Sequence, residues 1–466
     1  MTPARAPAAA PASRCTCTAC PLVCDDILPA DGRFEHACDV GRSLLADTDA
    51  TAPRDRGRPS ADARSGEASA DEPAAWLDGG PTDPAAAMAA AARLLAAARR
   101  VLVTGFGGAT LEAATRACDV AEALDAAVDA GDADVARIAG PTIARVGEVS
   151  ADWEELRDRA DLVIFWLCDP RHGHPRFVER FVQPPTADGG RRRSILVGPA
   201  WAAPHPMPHD RLPLAAEAGV EAARCLDTLL GGRRLPASFP AADAGPAAVA
   251  AALAAAIDAA RCVGIVTAHD ADPAGLAAWS VVHLVRTIAH AKPAFEIPLG
   301  AADVPGGSAA GGHGAGWKGA AAVCTWRYGA AGAIDRADRT AARFLPGESS
   351  ARRLLEREEV DAVLVAGRAA PAVEAALAAV AGRIGVVRID DAPPAAGATE
   401  PRTIRLRCAS AVAETPGTML RGDGRTVALA PARPPRRPSL ADVLAAVSAA
   451  LAAMPRDAAA GAGESR

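Results

Sequence analysis

Aromatic side chains are scarce in this chain: they make up 3% of its 466 residues, and Tyr328 is the one tyrosine. Lysine is scarcer still, present only at Lys292 and Lys318, so arginine carries nearly all of the positive charge. Set beside an excess of alanine, glycine and proline, this bias reads as codon composition rather than function. A basic surplus is also missing. The formal net charge is −6, which excludes a nucleic-acid backbone as the main partner, because such binding relies on clustered positive charge. No apolar run reaches the ~20 residues that a membrane-spanning helix needs. The opening MTPARAPAAAPASR is broken by Pro7 and Pro11 and lacks the apolar core of a secretory signal. The chain is therefore expected in the cytoplasm, where thiols stay reduced. No Gly-x-Ser-x-Gly elbow, His-Glu-x-x-His pair or Walker loop occurs, which removes the commonest signatures of serine hydrolases, zinc proteases and nucleotide hydrolases.

What is present points to an α/β protein. The length exceeds one ordinary core and predicts two or three domains. Short apolar runs, VLVTG (101–105), LVIFW (162–166), ILVG (195–198), VGIVT (263–267), AVLVAG (362–367) and GVVRID (385–390), alternate with Ala/Leu/Arg segments of helical period. Continuous apolar strands separated by helices predict parallel sheet covered on both faces. Two groups of such runs suggest two α/β units, one before about residue 320 and one after it. Residues 49–84 are Asp, Arg, Pro, Ser and Gly with few large apolar side chains, and read as a linker or mobile loop. The tail, 451–466, is expected to be disordered.

Four of the chain's 11 cysteines fall within the stretch CTCTACPLVC. Cys17, Cys20 and Cys24, followed by Cys38, have the spacing of a four-thiolate set that holds an iron–sulfur cube, and thiolates are soft ligands suited to such clusters or to zinc. Zinc more often uses two Cys-x2-Cys knuckles, whereas only Cys17 and Cys20 form one here. A 4Fe–4S cluster is the favoured reading, with zinc or empty thiols as alternatives. Cys15 is then a spare. Cys118, Cys225, Cys262 and Cys408 lie in apolar surroundings and read as small core residues.

Other motifs are weaker. Gly105, Gly107 and Gly108 follow an apolar run, but the third glycine of a dinucleotide fingerprint is replaced by Thr110, so a tight βα turn is favoured over a phosphate cradle. The segment FWLCDPRHGHPRF gathers Cys168, Asp169, His172 and His174 after a strand. Imidazoles two apart on an extended chain point to opposite faces, so a structural or binding loop is favoured over a metal site. His269 and Asp270, after another apolar run, invite the same reading.

In order along the chain, CTACPLVCDDI, FEHACDVG, RADLVIFWLCDPRHGHPRF, GWKGAAAVCTWRYGAAGAID, PGESSARRLLEREEVDAVLVAG and AETPGTMLRGDGRTVAL resemble the B subunit of formylmethanofuran dehydrogenase. The resemblance implies a molybdopterin-oxidoreductase fold: residues 1–48 as a small iron–sulfur domain, 49–84 as linker, 85–145 and 319–450 as the two parts of one Rossmann-like domain, and 146–318 as a second. In that family a Cys or selenocysteine followed by His, just before Gly-Pro, ligates molybdenum or tungsten. Here Gly140-Pro141 is preceded by Arg137, Ile138 and Ala139, and neither Ile nor Ala can ligate a metal or relay a proton.

That departure is similar to the bacterial branch of the family, the formyltransferase/hydrolase complex. The resemblance then implies a non-redox subunit without molybdopterin and without catalytic residues of its own. It would assemble with the sister A, C and D subunits in formaldehyde-to-formate metabolism with tetrahydromethanopterin and a methanofuran-type carrier, chemistry that resides in A and D. Two alternatives stand beside it: an active molybdenum or tungsten oxidoreductase, and a zinc-clip α/β binding protein of merely similar architecture. For a structural subunit, the loops around Trp166–Phe177 and Trp317–Tyr328 are expected either to line a collapsed cofactor cavity or to dock a sister subunit, with Trp326 and Arg327 as anchors.

Overall fold

A computed structural model describes residues 14–30, 33–46, 73–130, 147–199, 210–236, 245–268, 275–299, 315–337, 341–395 and 397–454. The first strands are β1 (Cys15–Cys17), β2 (Cys24–Ala30) and β3 (Arg33–Glu35), an antiparallel sheet followed by helix α1 (Asp39–Ala46). Next come β4 (Ala75–Leu77), β5 (Gly80–Pro81), α2 (Pro84–Ala97), β6 (Val101–Gly105), α3 (Leu111–Ala123) and β7 (Ala127–Val128). A second series holds β8 (Leu162–Trp166), β9 (Arg193–Gly198), β10 (Asp210–Pro213), β11 (Val263–Thr267) and β12 (Ala294–Pro298). The chain then adds β13 (Ile334–Asp335), β14 (Arg343–Phe344), β15 (Ala362–Ala366), β16 (Gly385–Asp390) and β17 (Thr403–Arg407), and ends with the hairpin β18 (Gly417–Leu420) and β19 (Thr426–Leu429) before a last helix, Leu440–Ala452.

The apolar runs become parallel strands because each is buried on both faces. The larger sheet has nine strands in the order β14-β13-β7-β6-β15-β16-β17-β4-β5, with β7, β6, β15, β16 and β17 mutually parallel. Alternate residues face opposite ways: Val101 and Val103 pack with α2, α3 and the last helix, whereas Leu102, Val363 and Val365 pack against helices Ala351–Glu356 and Pro371–Ala379. Local signals start the helices. Asp83 accepts from the Ala86 amide ahead of Pro84, Thr110 caps α3, and Ser439 with Asp442 forms a capping box on the last helix.

The smaller sheet, β10-β9-β8-β11-β12, is wholly parallel. Leu162, Ile164, Val263 and Ile265 face helices Gly219–Leu230, Pro246–Ala259 and Leu276–Ala289. Val163, Phe165 and Val266 face the other way, into an apolar cluster that also holds Cys15, Cys17, Leu22, Cys24 and Ile27. The cysteine unit thus covers one side of this sheet.

Two expectations need correction. Within the stretch read as a linker, Ala75–Leu77 is a strand paired with β17, with Ala75 and Trp76 buried. Backbone pairing at a sheet edge orders a segment too poor in apolar residues to fold by itself. The stretch Trp317–Tyr328, expected as a loop, is a helix of 12 residues closed by Gly329. No helix among the described residues is long and apolar enough to cross a membrane.

Candidate functional site

The N-terminal thiols are gathered by sheet register and a helix start. Cys17 lies opposite Cys24 across β1 and β2, Cys20 sits on the loop between them, and Cys38 immediately precedes α1. At Gly41 a Cβ would stand 3.1 Å from the Cys17 sulfur and 3.6 Å from that of Cys38, so any larger residue would push into the space between them. The Gly41 amide donates to the Cys38 sulfur at 3.4 Å. Burial, reinforced by the neighbouring thiols Cys24, Cys38 and Cys15, pushes the Cys17 thiol up to about 12. Burial drives Cys20 up as well. At Cys24 burial also raises the thiol, against the charges of Arg180 and Arg176. These sulfurs are near neighbours, yet no group of three or more His, Cys, Asp or Glu side chains among the described residues is already arranged to hold a metal ion.

The unit is pinned from two sides. Its loops bond to the C-terminal part of the chain: the Thr16 amide donates to Ala430 O at 2.8 Å, Thr18 Oγ1 to Ala411 O at 2.8 Å, and the Gly422 amide to Pro21 O at 2.8 Å. On the other side, the segment after β8 sends two arginines into β2. Arg176, buried, holds Asp26 through both guanidinium nitrogens at 2.8 and 2.7 Å and also holds Glu179. Arg180 donates to Asp25 at 2.8 Å. Arg180 lies within a π-type turn, Val178–Val182, and Arg176 just before it. Trp153, Phe177 and Phe181 pack edge-on or tilted against one another, and Arg421 lies over Trp153 and Phe181 while paired with Glu154 and Asp423.

His174 belongs to that aromatic cluster. It packs edge-on against Trp153 and Phe177, burial holds its pKa down at about 4, and its buried Nε2 has no hydrogen-bond partner. It is a neutral core imidazole. Asp169 caps the turn Pro170–His172 and pairs with Arg171. Trp166 and Phe177 are core residues. Their loop therefore offers no aromatic anchor for docking. Between this segment and the cysteine unit lies an open cleft of about 560 Å³ bordered by His36, Cys38, Arg42, Arg171, Arg176 and Glu179.

A second place where α/β sheets take ligands is the carboxyl edge at the point where strand order reverses. In the nine-stranded sheet that point lies between β6 and β15. The glycine turn after β6 is there, and its amides are all engaged within the chain. Phe106 N donates to Ala366 O, Gly107 N to Arg368 O at 2.9 Å, Gly108 N to Ala315 O at 2.7 Å, and Ala109 N to Phe106 O at 2.9 Å. Trp317 Nε1 donates to Gly105 O from above. Gly316, at φ +122°, approaches so closely that a Cβ would stand 2.6 Å from Phe106 O and 2.8 Å from the Gly108 and Ala109 nitrogens. The free space left beside the turn is about 20 Å³, room for a single water. The tight-turn reading of Gly105, Gly107 and Gly108 agrees with this geometry, because the amides of residues 106–109 are all bonded within the chain.

Of the proposed docking anchors, Trp326 is 80% exposed. Arg327 is not available in the same way: it donates to Asp119 at 2.6 Å and to Glu122 at 2.8 Å, tying its helix to α3. Cys118, Cys225, Cys262 and Cys408 are buried in the core as expected. Arg137, Ile138, Ala139, His269 and Asp270 lie outside the described residues, as does the side chain of His172. Trp317 belongs to a segment expected either to line a collapsed cavity or to dock a sister subunit; the close seating of Ala315 and Gly316 on the turn is not part of that expectation. Its one sequence signal was the pair Gly316-Trp317, a residue with no side chain next to the largest one.

The architecture is that of a two-sheet α/β protein with a cysteine-bearing N-terminal unit. One chain of the formyltransferase/hydrolase complex (FhcABCD) from Methylorubrum extorquens, solved in complex with methylofuran, shares this fold with a TM-score of 0.64 at 22% identity, over 81% of this chain and 99% of that one. In sequence, the B subunit of tungsten-containing formylmethanofuran dehydrogenase 2 from Methanocaldococcus jannaschii is 33% identical over 93 residues, and its counterpart from Methanococcus maripaludis is 36% identical over the same length. Each match covers 19% of this chain and 21% of the relative, so the chain spans about a fifth of the length of the curated relatives it matches. No model of a known protein family matches the chain. The resemblance read from the sequence, to the B subunit of formylmethanofuran dehydrogenase, agrees with both likenesses.

Proposed function

We propose that this chain is a non-redox, B-type subunit of a methanofuran-linked formyltransferase/hydrolase complex, with the layout of a molybdopterin oxidoreductase but without its chemistry. The observation that carries the reading is the filled crevice. At the strand-order reversal of the larger sheet the turn after β6 bonds its amides within the chain, Gly108 N to Ala315 O among them, and Gly316 and Trp317 sit directly against it in the space that a phosphate-bearing cofactor would need. The absence of a ligating side chain at Ile138 and Ala139 supports the same conclusion. On this reading formyl transfer and hydrolysis belong to the sister A and D subunits, C completes the assembly in the cytoplasm, and this chain supplies surface and rigidity.

A 4Fe–4S cluster or another soft metal at Cys17, Cys20, Cys24 and Cys38 is part of the proposal. The donor set fits such a group in kind: four buried or half-buried thiols on one small unit, with a buried, unpartnered guanidinium nitrogen of Arg180 next to Cys24. A bound cluster would tie β1, β2, the intervening loop and the start of α1 together. The experiment is metal and pterin analysis of the complex purified from its native source, with formate-linked dye reduction alongside. The expected result is iron without molybdenum, tungsten or pterin and no dye reduction. Stoichiometric molybdenum or tungsten in this chain overturns the reading in favour of an active dehydrogenase, and one zinc per chain without partner subunits favours the binding-protein alternative.

A further inference from the structure

The segment after β8 belongs to the five-stranded sheet, yet it ends against the cysteine unit. Arg180 reaches β2 with one guanidinium nitrogen on Asp25 at 2.8 Å and its plane over Phe181, 5.4 Å from the ring centre. The other terminal nitrogen, Nη1, is buried and has no hydrogen-bond partner of normal geometry. A buried N–H without an acceptor costs on the order of 1–3 kcal/mol, more for a charged group, so such a group signals a partner that completes it. The guanidinium of Arg180 neighbours the sulfur of Cys24. A neutral thiol is a poor acceptor and a metal-bound thiolate is a good one. Arg176, the other cation at this site, is already saturated by Asp26 and Glu179. Arg180 is the one with a donor to spare.

We propose that Arg180 is a positioning residue of the thiol site, donating from Nη1 to the Cys24 sulfur once that sulfur is bound to a metal. The inference rests on the reading that the four thiols hold a soft metal. It makes retention of the metal depend on a residue of the five-stranded sheet unit, 155 positions from its nearest acidic partner, Asp25. Asp26 lies on the same strand and opposes an anionic sulfur, whereas Arg180 and Arg176 both favour one; of the two, Arg180 has the terminal nitrogen without a hydrogen-bond partner.

The test uses the full chain in its complex, as purified and after reconstitution with iron(II) and sulfide, in wild type, Arg180→Met and Arg180→Lys. Iron retention is followed during an EDTA chase, and the reduction potential of the bound cluster is measured. Loss of an outer hydrogen bond to a ligand weakens metal binding roughly 10- to 100-fold. Arg180→Met is expected to lose iron that much faster and to shift the cluster potential downward, since hydrogen bonds to the sulfurs raise it. Arg180→Lys should recover part of both. Unchanged circular dichroism in the Met variant separates this from misfolding, and a potential shift in whatever loaded fraction remains is not an effect of folding. If Arg180→Met keeps iron and potential at wild-type values, the proposal is overturned while the metal site stands. If the wild type takes up no metal, the metal reading itself is overturned, and the role of Arg180 with it.

Discussion

Replacing Gly316 with alanine tests whether residues 315–317 fill the crevice between β6 and β15. Gly316 has φ +122°, a backbone region that L side chains rarely adopt, and its Cβ would stand 2.6 Å from Phe106 O and 2.8 Å from two turn nitrogens. Backbone strain of this kind costs about 1–3 kcal/mol, and the overlap with fixed backbone atoms about as much again. A destabilisation of about 4 kcal/mol follows from the two together. Gly329 is the control. It too has a positive φ, +81°, but a Cβ there meets nothing within 4 Å, so Gly329→Ala should cost only about 1 kcal/mol. Guanidinium unfolding followed by tryptophan fluorescence gives the two values, and hydrogen exchange of the amides of residues 105–110 gives the local response. In Gly316→Ala the Gly108 amide loses the Ala315 carbonyl and should exchange much faster. Equal destabilisation by the two variants, with unchanged exchange in the turn, would refute the seating of residues 315–317 on it.

Changing Cys17, Cys20, Cys24 or Cys38 singly to Ser should remove iron and acid-labile sulfide together, present in the wild type in a ratio of about four to four, while Cys15→Ser leaves both in place; chemical analysis of each variant decides. Trp326→Ala should leave the unfolding free energy within about 0.5 kcal/mol of wild type, yet weaken recovery of the assembled complex, with turnover of assembled material unchanged. Arg327→Ala should instead destabilise the chain by roughly 1 kcal/mol, through loss of its two ion pairs to α3. His174 is held neutral by burial with a pKa of about 4, so the unfolded chain binds the extra proton between its ordinary value near 6.5 and about 4. Stability should therefore be complete above pH ~6.5 and fall by up to roughly 3 kcal/mol towards pH ~4. His174→Phe should flatten that part of the pH profile in calorimetry.

The six apolar runs announced the central strands because burial on both faces leaves no polar alternation to confuse with a helix. All six are strands, and all are parallel to a neighbour. Edge elements were harder. Ala75–Leu77 is three residues long in a Pro/Gly-rich setting and is a strand only because β17 lies beside it. The closed crevice joins Gly108 to Ala315, and the arginine clamp joins Arg176 to Asp26; contacts of that sequence separation leave no local pattern. Arg327, expected from its residue type as an interface anchor, is paired within the chain, as are Arg171 and Arg176. What could be read locally was that the cysteines form a set. That Arg180 brings a spare donor to Cys24 depends on the fold.

The most direct test of a non-redox role is quantitative metal and pterin analysis of this chain in its native complex. The expected result is no molybdenum, no tungsten and no pterin. One molybdenum or tungsten per chain, with pterin, would contradict it.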